Sequence, residues 1–117
     1  MLPPRIARKA KAETRWRSPA HCSFVRSHAC CSCGSTIGIE AAHVRLGSHT
    51  GISQKPDDWR VVSLCRQCHE DQHRVGERSF WAQFGGEDHT NGLIDAFCKA
   101  SPKAADIRRV RQDREAA

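Results

Sequence analysis

The chain has 117 residues, of which 38% are hydrophobic and 6% are aromatic, and it contains no tyrosine. This length suits one domain with a thin core, and such domains are often reinforced by disulfides or a structural metal. No apolar run is long enough to span a membrane, and the N-terminal stretch MLPPRIARKAKAETRWR is too polar for a signal peptide. We therefore expect a cytoplasmic protein without a membrane partner.

The net charge is +6 at pH 7 and the sequence pI is about 9.2. Lysine and arginine concentrate near the two ends of the chain, which suits a polyanionic partner, most simply nucleic acid. A solvated basic surface that keeps the protein soluble explains the same composition equally well. Residues 1–14 are polar, basic and proline-containing, so we expect a flexible arm. The domain that follows is expected over residues 15–100.

The remaining elements are predicted from capping residues and hydrophobic patterns in chain order. A first helix is capped by Ser18, with Pro19 at its first position. The other predicted elements are a strand within 37–46, a loop, a strand within 59–65, and helices at 66–75, 77–86, 91–100 and 102–114, the last capped by Ser101. Gly76 is expected to stop the helix that starts at residue 66. The last of these helices is assigned to a basic C-terminal segment, 101–117.

Seven cysteines in a chain that we expect in the reducing cytoplasm favour metal binding over disulfides. Cys30 and Cys33 form one CxxC pair, and Cys65 and Cys68 form another. Each pair presents two thiolates from a tight turn, and two such turns complete a tetrahedral zinc site. Cys31 could replace Cys30 as a ligand, although the two-residue spacer favours Cys30. The sequence thus predicts a structural zinc ion held by four cysteines.

Three histidines form a second candidate site. His69 and His73 lie four residues apart on a predicted helix, so they share one face and can chelate a divalent ion. A solvent-facing pair on a polar helix is the plainer interpretation. His43 ends the first predicted strand, which in a ββα unit lies over the helix that follows the second strand. His43 is therefore expected to face His69 and His73 across a cleft.

The order of these motifs resembles the zinc-bearing HNH endonucleases with the ββα-metal (His-Me finger) fold. The resemblance is carried by the first CxxC pair, AHVR, a glycine-containing loop with KPDD, and VSLCRQCHEDQH, and it covers roughly residues 21–84. Within that superfamily, the chain is similar to a phage and prophage group of nucleases that enhance recombination. The resemblance implies an α+β fold, in which a small zinc-stapled ββα-metal core carries flanking helices, in a bacterial host or phage-encoded protein.

The resemblance also implies roles for individual residues. His43 matches the general base that takes a proton from water, and Asp58 matches the acidic residue of the KPxD loop that braces the base. His69 and His73 match the ligands of a catalytic divalent ion, Mg²⁺ or another. Arg45, two residues after His43 on the same strand face, is expected to meet the scissile phosphate. The cysteine pairs match the structural zinc set.

The chain departs from the HNH pattern at Ala42, where most HNH enzymes have a metal-binding Asp or His. The ion would then be held by His69 and His73 with substrate phosphate and water, and with Glu40, His49 or Asp57 as further candidate ligands. The expected function is a metal-dependent DNA endonuclease with little sequence specificity. A zinc-stapled nucleic-acid-binding module with a vestigial second metal site, and a protein-binding zinc domain in a recombination complex, remain alternatives.

Overall fold

The computed structural model describes residues 1–6, 15–48 and 55–116, and within these ranges the chain is a mixed α+β fold. The predicted α+β class is confirmed. The elements in chain order are α1 Pro19–Arg26, β1 Ile39–His43, β2 Val61–Cys65, α2 Arg66–Val75, α3 Glu77–Ala82, α4 Glu87–Ala100 and α5 Ala104–Ala116. No helix in these described ranges is long and apolar enough to cross a membrane. Part of the predicted arm, residues 7–14, lies outside them.

A two-stranded antiparallel sheet is the framework of the fold. β1 and β2 pair from Ile39 opposite Cys65 to His43 opposite Val61. All five residues of β2 are buried, whereas in β1 only Ala42 is buried. One face of β1 therefore packs against the core, and its other face, with Ala41 and His43, borders an open cavity.

Local signals position the helices on either side of this sheet. The Ser18 hydroxyl accepts a hydrogen bond from the His21 N–H at 3.1 Å, and Pro19 begins α1, as predicted. α2 follows β2 without a loop and ends at Gly76, whose φ of 90° a residue with a side chain rarely adopts. The predicted end of α2 at Gly76 is confirmed.

The core fills the space between the sheet and the later helices. Leu64, Trp81, Ile94 and Ile107 are all almost completely buried. The basic C-terminal helix α5 packs on this core through Ile107, with the partly buried Val110 beside it. Burial of side chains of this size stabilises a domain by about 1.5–3 kcal/mol each.

Four predicted boundaries differ from the structure. α3 ends at Ala82 rather than near residue 86. α4 begins at Glu87 rather than near residue 91, because Gly86 adopts a positive φ of 72° just before an acidic first turn. α5 begins at Ala104 rather than at residue 102. The Ser101 hydroxyl accepts a hydrogen bond from the Lys103 N–H at 3.0 Å, which forms a turn before the helix. β2 begins at Val61, after a turn that contains Trp59.

Candidate functional site

Four cysteines converge at the end of the sheet where Ile39 pairs with Cys65. The ligand atoms of Cys30, Cys33, Cys65 and Cys68 all lie within 4.8 Å of one another. The first pair comes from a tight turn before β1, closed by a 3.0 Å hydrogen bond from the Gly34 N–H to the Cys30 carbonyl. The second pair spans the junction of β2 and α2. The predicted grouping of these four cysteines is confirmed.

Cys31 is excluded from this cluster by its own contacts. Its Sγ lies 3.3 Å from the Ser63 hydroxyl, and its N–H donates to the Ser63 carbonyl at 2.9 Å. Cys31 is therefore held against β2, and Cys30 supplies the ligand atom of that turn. Cys98 is buried and its thiol donates to the Trp59 carbonyl, as expected for a cysteine that fills the core.

The donor set fits a structural zinc ion. Four thiols in two CxxC turns are a closed tetrahedral ligand set, which leaves no position for water. Burial raises the pKa of Cys30, but hydrogen bonds from the N–H groups of Ser32 and Cys33 act more strongly and bring it down to about 6. One ligand is thus disposed toward the thiolate form that binds a metal. These four cysteines can hold a metal such as zinc.

A separate cavity of about 320 Å³ lies between β1, α2 and the start of α3. Four of the predicted site residues line it, namely His43, Arg45, His69 and His73. Ala41, Lys55 and Glu77 complete the lining. The structure therefore brings the strand histidine and the helix histidines to one cavity, as the ββα order predicted.

Asp58 forms a hydrogen bond with the imidazole of His43. His43 Nε2 and Asp58 Oδ1 are 2.9 Å apart. The other carboxylate oxygen of Asp58 accepts a hydrogen bond from the Ser18 N–H at 2.8 Å, and Arg17 Nη1 lies 3.2 Å from Oδ1. Since the start of α1 anchors this carboxylate, the orientation of the His43 ring is set by residues far apart in sequence. Nδ1 is then the ring nitrogen left to accept a proton.

The electrostatics of this pair favour a neutral imidazole next to a charged carboxylate. Burial lowers the pKa of His43, and its hydrogen bond to Asp58 only partly opposes that effect. Burial raises the pKa of Asp58, but the Ser18 N–H and His43 bring it below its usual value. At neutral pH, His43 is therefore able to act as a base.

The two helix histidines face each other through the same ring atom. His69 Nε2 and His73 Nε2 are 3.1 Å apart, and His69 Nδ1 lies 2.8 Å from Glu40 Oε1. Two nitrogens at about 2.0–2.1 Å from one ion lie roughly 2.9–3.4 Å apart when their angle at the ion is between 90° and tetrahedral. The pair fits that spacing, and Glu40 occupies the position of a carboxylate that orients a ligand histidine.

Within the described ranges, only the four cysteines bring three or more candidate ligand atoms together, so no third protein ligand joins His69 and His73. Ala42 is buried in the core and does not line the cavity. Asp57, one candidate for an additional ligand, bonds instead to the Trp16 N–H and to Arg114. His49, another candidate, lies outside the described residues.

Two residues of the cavity had no role assigned from the sequence. The Glu77 carboxylate accepts hydrogen bonds from the Arg45 and Leu46 N–H groups, at 2.8 and 3.3 Å, so the start of α3 holds the segment that follows β1. Lys55 adds a positive charge to the cavity wall. Lys55 precedes Pro56 and Asp57 in the KPDD loop and was detectable there, whereas no local pattern marks Glu77.

Comparisons with known proteins give one family. The model of DUF968, described as a protein of unknown function, matches residues 3–96. This match includes both cysteine pairs and all three cavity histidines, and it ends before α5. No curated protein and no solved structure matches the chain.

Proposed function

The chain belongs to the DUF968 family, and we propose that it is a metal-dependent endonuclease of the HNH type that hydrolyses DNA phosphodiester bonds with little sequence specificity. One observation carries this proposal. A histidine hydrogen-bonded to a carboxylate and a pair of imidazoles at chelating distance line the same cavity. General base, metal ligands and cationic groups are the parts that metal-assisted phosphodiester hydrolysis requires.

His43 is the proposed general base. Its Nε2 is occupied by Asp58, so Nδ1 takes the proton from the attacking water. Asp58 then stabilises the imidazolium that forms, because its carboxylate stays charged. Since Asp58 does not line the cavity, it acts on the reaction through His43 and is a positioning residue.

His69 and His73 are the proposed ligands of the divalent ion. When bound, the ion would act as a Lewis acid that stabilises negative charge on the phosphoryl oxygens and the leaving oxygen. Glu40 keeps the His69 ring oriented by accepting from Nδ1, which leaves Nε2 as the ligand atom. Two protein ligands leave positions for water and a substrate phosphate, which suits an open catalytic site.

Arg45 and Lys55 supply the positive charge that binds the substrate phosphate. Arg45 is exposed beside His43, and its backbone is fixed by Glu77. A planar guanidinium bonds phosphate oxygens with two parallel N–H groups, and an ammonium attracts them as a point charge. Neither residue reads base edges, so the proposed activity has no built-in sequence preference.

The arrangement of elements also supports the HNH assignment. The antiparallel pair β1–β2 is followed directly by α2, and the CxxC turns join the hairpin to the helix. We propose that this unit is a ββα-metal core, in which the cysteine cluster keeps α2 at the angle that directs His69 and His73 toward His43.

The second candidate is a zinc-stapled module that binds nucleic acid without cleaving it, as part of a recombination complex. The observation that favours it is the helix histidine pair, which no third protein ligand joins within the described residues. A pair of imidazoles alone binds a divalent ion weakly unless a substrate phosphate completes the site.

Nicking of supercoiled plasmid DNA by the zinc-loaded protein distinguishes the two candidates. We expect nicking with added Mg²⁺ or Mn²⁺ and none without added metal. His43→Ala should lower the rate by about 10²- to 10⁴-fold, because a general base contributes that much. His43 lines the cavity and lies at the opposite end of the β1–β2 ladder from Cys65, so this variant should keep the thermal unfolding temperature within a few degrees.

His28→Ala is the matched control, since His28 is exposed and lies on the loop after α1, outside the cavity. It should nick at the wild-type rate. Absence of nicking with either ion, or equal nicking by the wild type and His43→Ala, would reject the nuclease and leave the binding module.

A further inference from the structure

A second cleft shares no lining residue with the cavity that contains His43, His69 and His73. Its volume is about 300 Å³, and its walls include Arg15, Trp59, Arg60, Arg111 and Arg114. Asp57 and Glu115 are the carboxylates of the lining, so four guanidinium groups face two carboxylates. The cleft thus has an excess of positive charge within a basic protein.

Arg60 is the least expected of these residues, because it is only 9% exposed. Its hydrogen bonds go to neutral groups, from Nε to the Val44 carbonyl at 3.1 Å and from Nη2 to the Leu46 carbonyl at 2.8 Å. Among the residues that the structure describes, no carboxylate is within ion-pair distance of it, and burial lowers its pKa, which the Glu77 and Glu87 charges only partly oppose. A buried charge of this kind usually has an anionic partner.

Arg111 contributes a second charge from α5. Its guanidinium lies 4.4 Å from the centre of the Trp59 ring, and the Arg60 guanidinium lies 5.3 Å from it. Arg111 also contacts Asp95 at 2.8 Å, a residue outside the cleft. Both cationic groups therefore contact the Trp59 ring, and burial and the charge of Arg111 act together to lower the pKa of Arg60. A bound anion would relieve this repulsion.

Hydrogen bonds to the Asp57 carboxylate fix one wall of the cleft. Asp57 receives two hydrogen bonds from Arg114, at 2.9 and 2.8 Å, and a third from the Trp16 N–H at 2.6 Å. Asp57 is thus committed to the wall, and it precedes Asp58, whose carboxylate bonds His43 on the catalytic side. This turn therefore connects the two clefts. The segment after β1 also serves both, because Arg45 lines the catalytic cavity and the Val44 and Leu46 carbonyls accept hydrogen bonds from Arg60.

We propose that this arginine cleft binds a phosphodiester group of the nucleic-acid backbone, as a second phosphate site beside the catalytic cavity. This inference rests on the proposed nucleic-acid substrate but not on its cleavage. A planar guanidinium suits phosphate oxygens, and backbone contacts of this type position a duplex without reading its sequence. The cleft would keep the strand in register while His43 acts on a neighbouring bond.

Binding of a short fluorescein-labelled duplex, measured by fluorescence anisotropy over a range of salt concentrations without added magnesium, tests this site. Arg111→Gln should weaken binding about tenfold at low salt and reduce the salt dependence by about one unit of slope, because one phosphate contact is lost. Arg109→Gln is the matched control, since Arg109 lies on the same helix, carries the same charge and pairs with Asp106 outside the cleft. It should change the affinity less than about twofold.

Arg60→Lys provides a second variant in case Arg111→Gln perturbs folding, which the thermal unfolding temperature reports. It keeps the charge but removes the planar fork, so it should weaken binding severalfold. Equal losses for Arg111→Gln and Arg109→Gln would overturn the site, because a diffuse basic surface predicts that result. A mononucleotide that raises the unfolding temperature, with duplex affinity unaffected by Arg111→Gln, would overturn the polymer assignment.

These experiments can reject the proposed nuclease activity and the proposed second phosphate site independently. Metal-dependent nicking combined with equal binding by the two arginine variants would keep the nuclease and reject the site. Selective loss of binding in Arg111→Gln with no nicking under any condition would keep the site and reject the nuclease.

Discussion

The cysteine cluster and the histidine cavity lie near opposite ends of the β1–β2 ladder, and α2 connects them. Cys68 is in the first turn of α2 and belongs to the cluster, whereas His73 is near its end and lines the cavity. The cluster offers four ligand atoms of one type within 4.8 Å, and the helix histidines offer two at 3.1 Å. A closed set stabilises a fold, and an open set leaves positions for water and substrate.

One short helix can contribute to both the cysteine cluster and the histidine pair because the two sets of side chains lie on different faces. Adjacent residues on a helix project about 100° apart, so Cys68 and His69 point to different sites. A metal ion held by the four cysteines would compensate for the thin hydrophobic core. Since α2 has only Cys68 and Gln72 buried, its position depends on the cysteine cluster more than on apolar packing.

The largest expected effect is the loss of one cysteine ligand. Cys33→Ser should abolish the cooperative thermal unfolding transition, because structural zinc sites contribute on the order of 10 kcal/mol to small domains. Cys33 is exposed, so this change removes no core contact. Circular dichroism against temperature, together with zinc content by absorption spectrometry, would measure the effect.

Cys31→Ser is the control for that experiment. Cys31 is adjacent in sequence but bonds Ser63 instead of joining the cluster. Its replacement should retain zinc and shift the unfolding temperature by only a few degrees. A Cys33→Ser protein that unfolds like the wild type would break the comparison, since the cluster would then not be what stabilises the fold.

A smaller effect is expected at the edge of the open site. Glu40→Gln should weaken the apparent affinity for the catalytic ion about tenfold, because outer carboxylates orient and activate ligand histidines. The nicking rate as a function of Mn²⁺ concentration would measure this change, and the rate at saturating metal should recover. Thermal stability should stay near that of the wild type, in contrast to the cysteine variant.

Glu70→Gln is the matched control, because Glu70 lies on α2 next to His69 but pairs with Arg66 on the exposed face. Its metal dependence should not change. If Glu40→Gln lowered the rate at saturating metal and left the metal dependence unchanged, Glu40 would not orient a metal ligand.

Local spacing determined what the sequence predicted correctly. The CxxC turns and the i, i+4 histidines are short-range patterns, so the cluster and the facing imidazoles could be predicted from them. Ser18, Pro19 and Gly76 are likewise local signals, and the helix limits that they predicted are confirmed. The meeting of His43 with α2 followed from the ββα order alone.

Features that depend on distant packing could not be predicted. The Asp58–His43 bond was expected only through the resemblance, and its support by Ser18 requires residues 40 positions apart to meet. Glu77 reaches the segment that follows β1 only because Gly76 turns the chain between α2 and α3. The arginine cleft combines residues from the N-terminal segment, the turn before β2 and α5, so no single stretch of sequence indicates it.

The smallest expected effect is a shift of the pH profile that separates the two carboxylate–histidine pairs of the open site. The proposed mechanism requires neutral His43, so the rate should fall as pH decreases through a His43 pKa below its ordinary value, and it should already be maximal at neutral pH. Asp58 raises that pKa through its hydrogen bond. Asp58→Asn should therefore move the midpoint to lower pH, by less than about one unit, while the maximal rate falls about tenfold. Glu40→Gln should leave the midpoint in place, and a midpoint that moved upward in Asp58→Asn would show that Asp58 does not act on the proposed base.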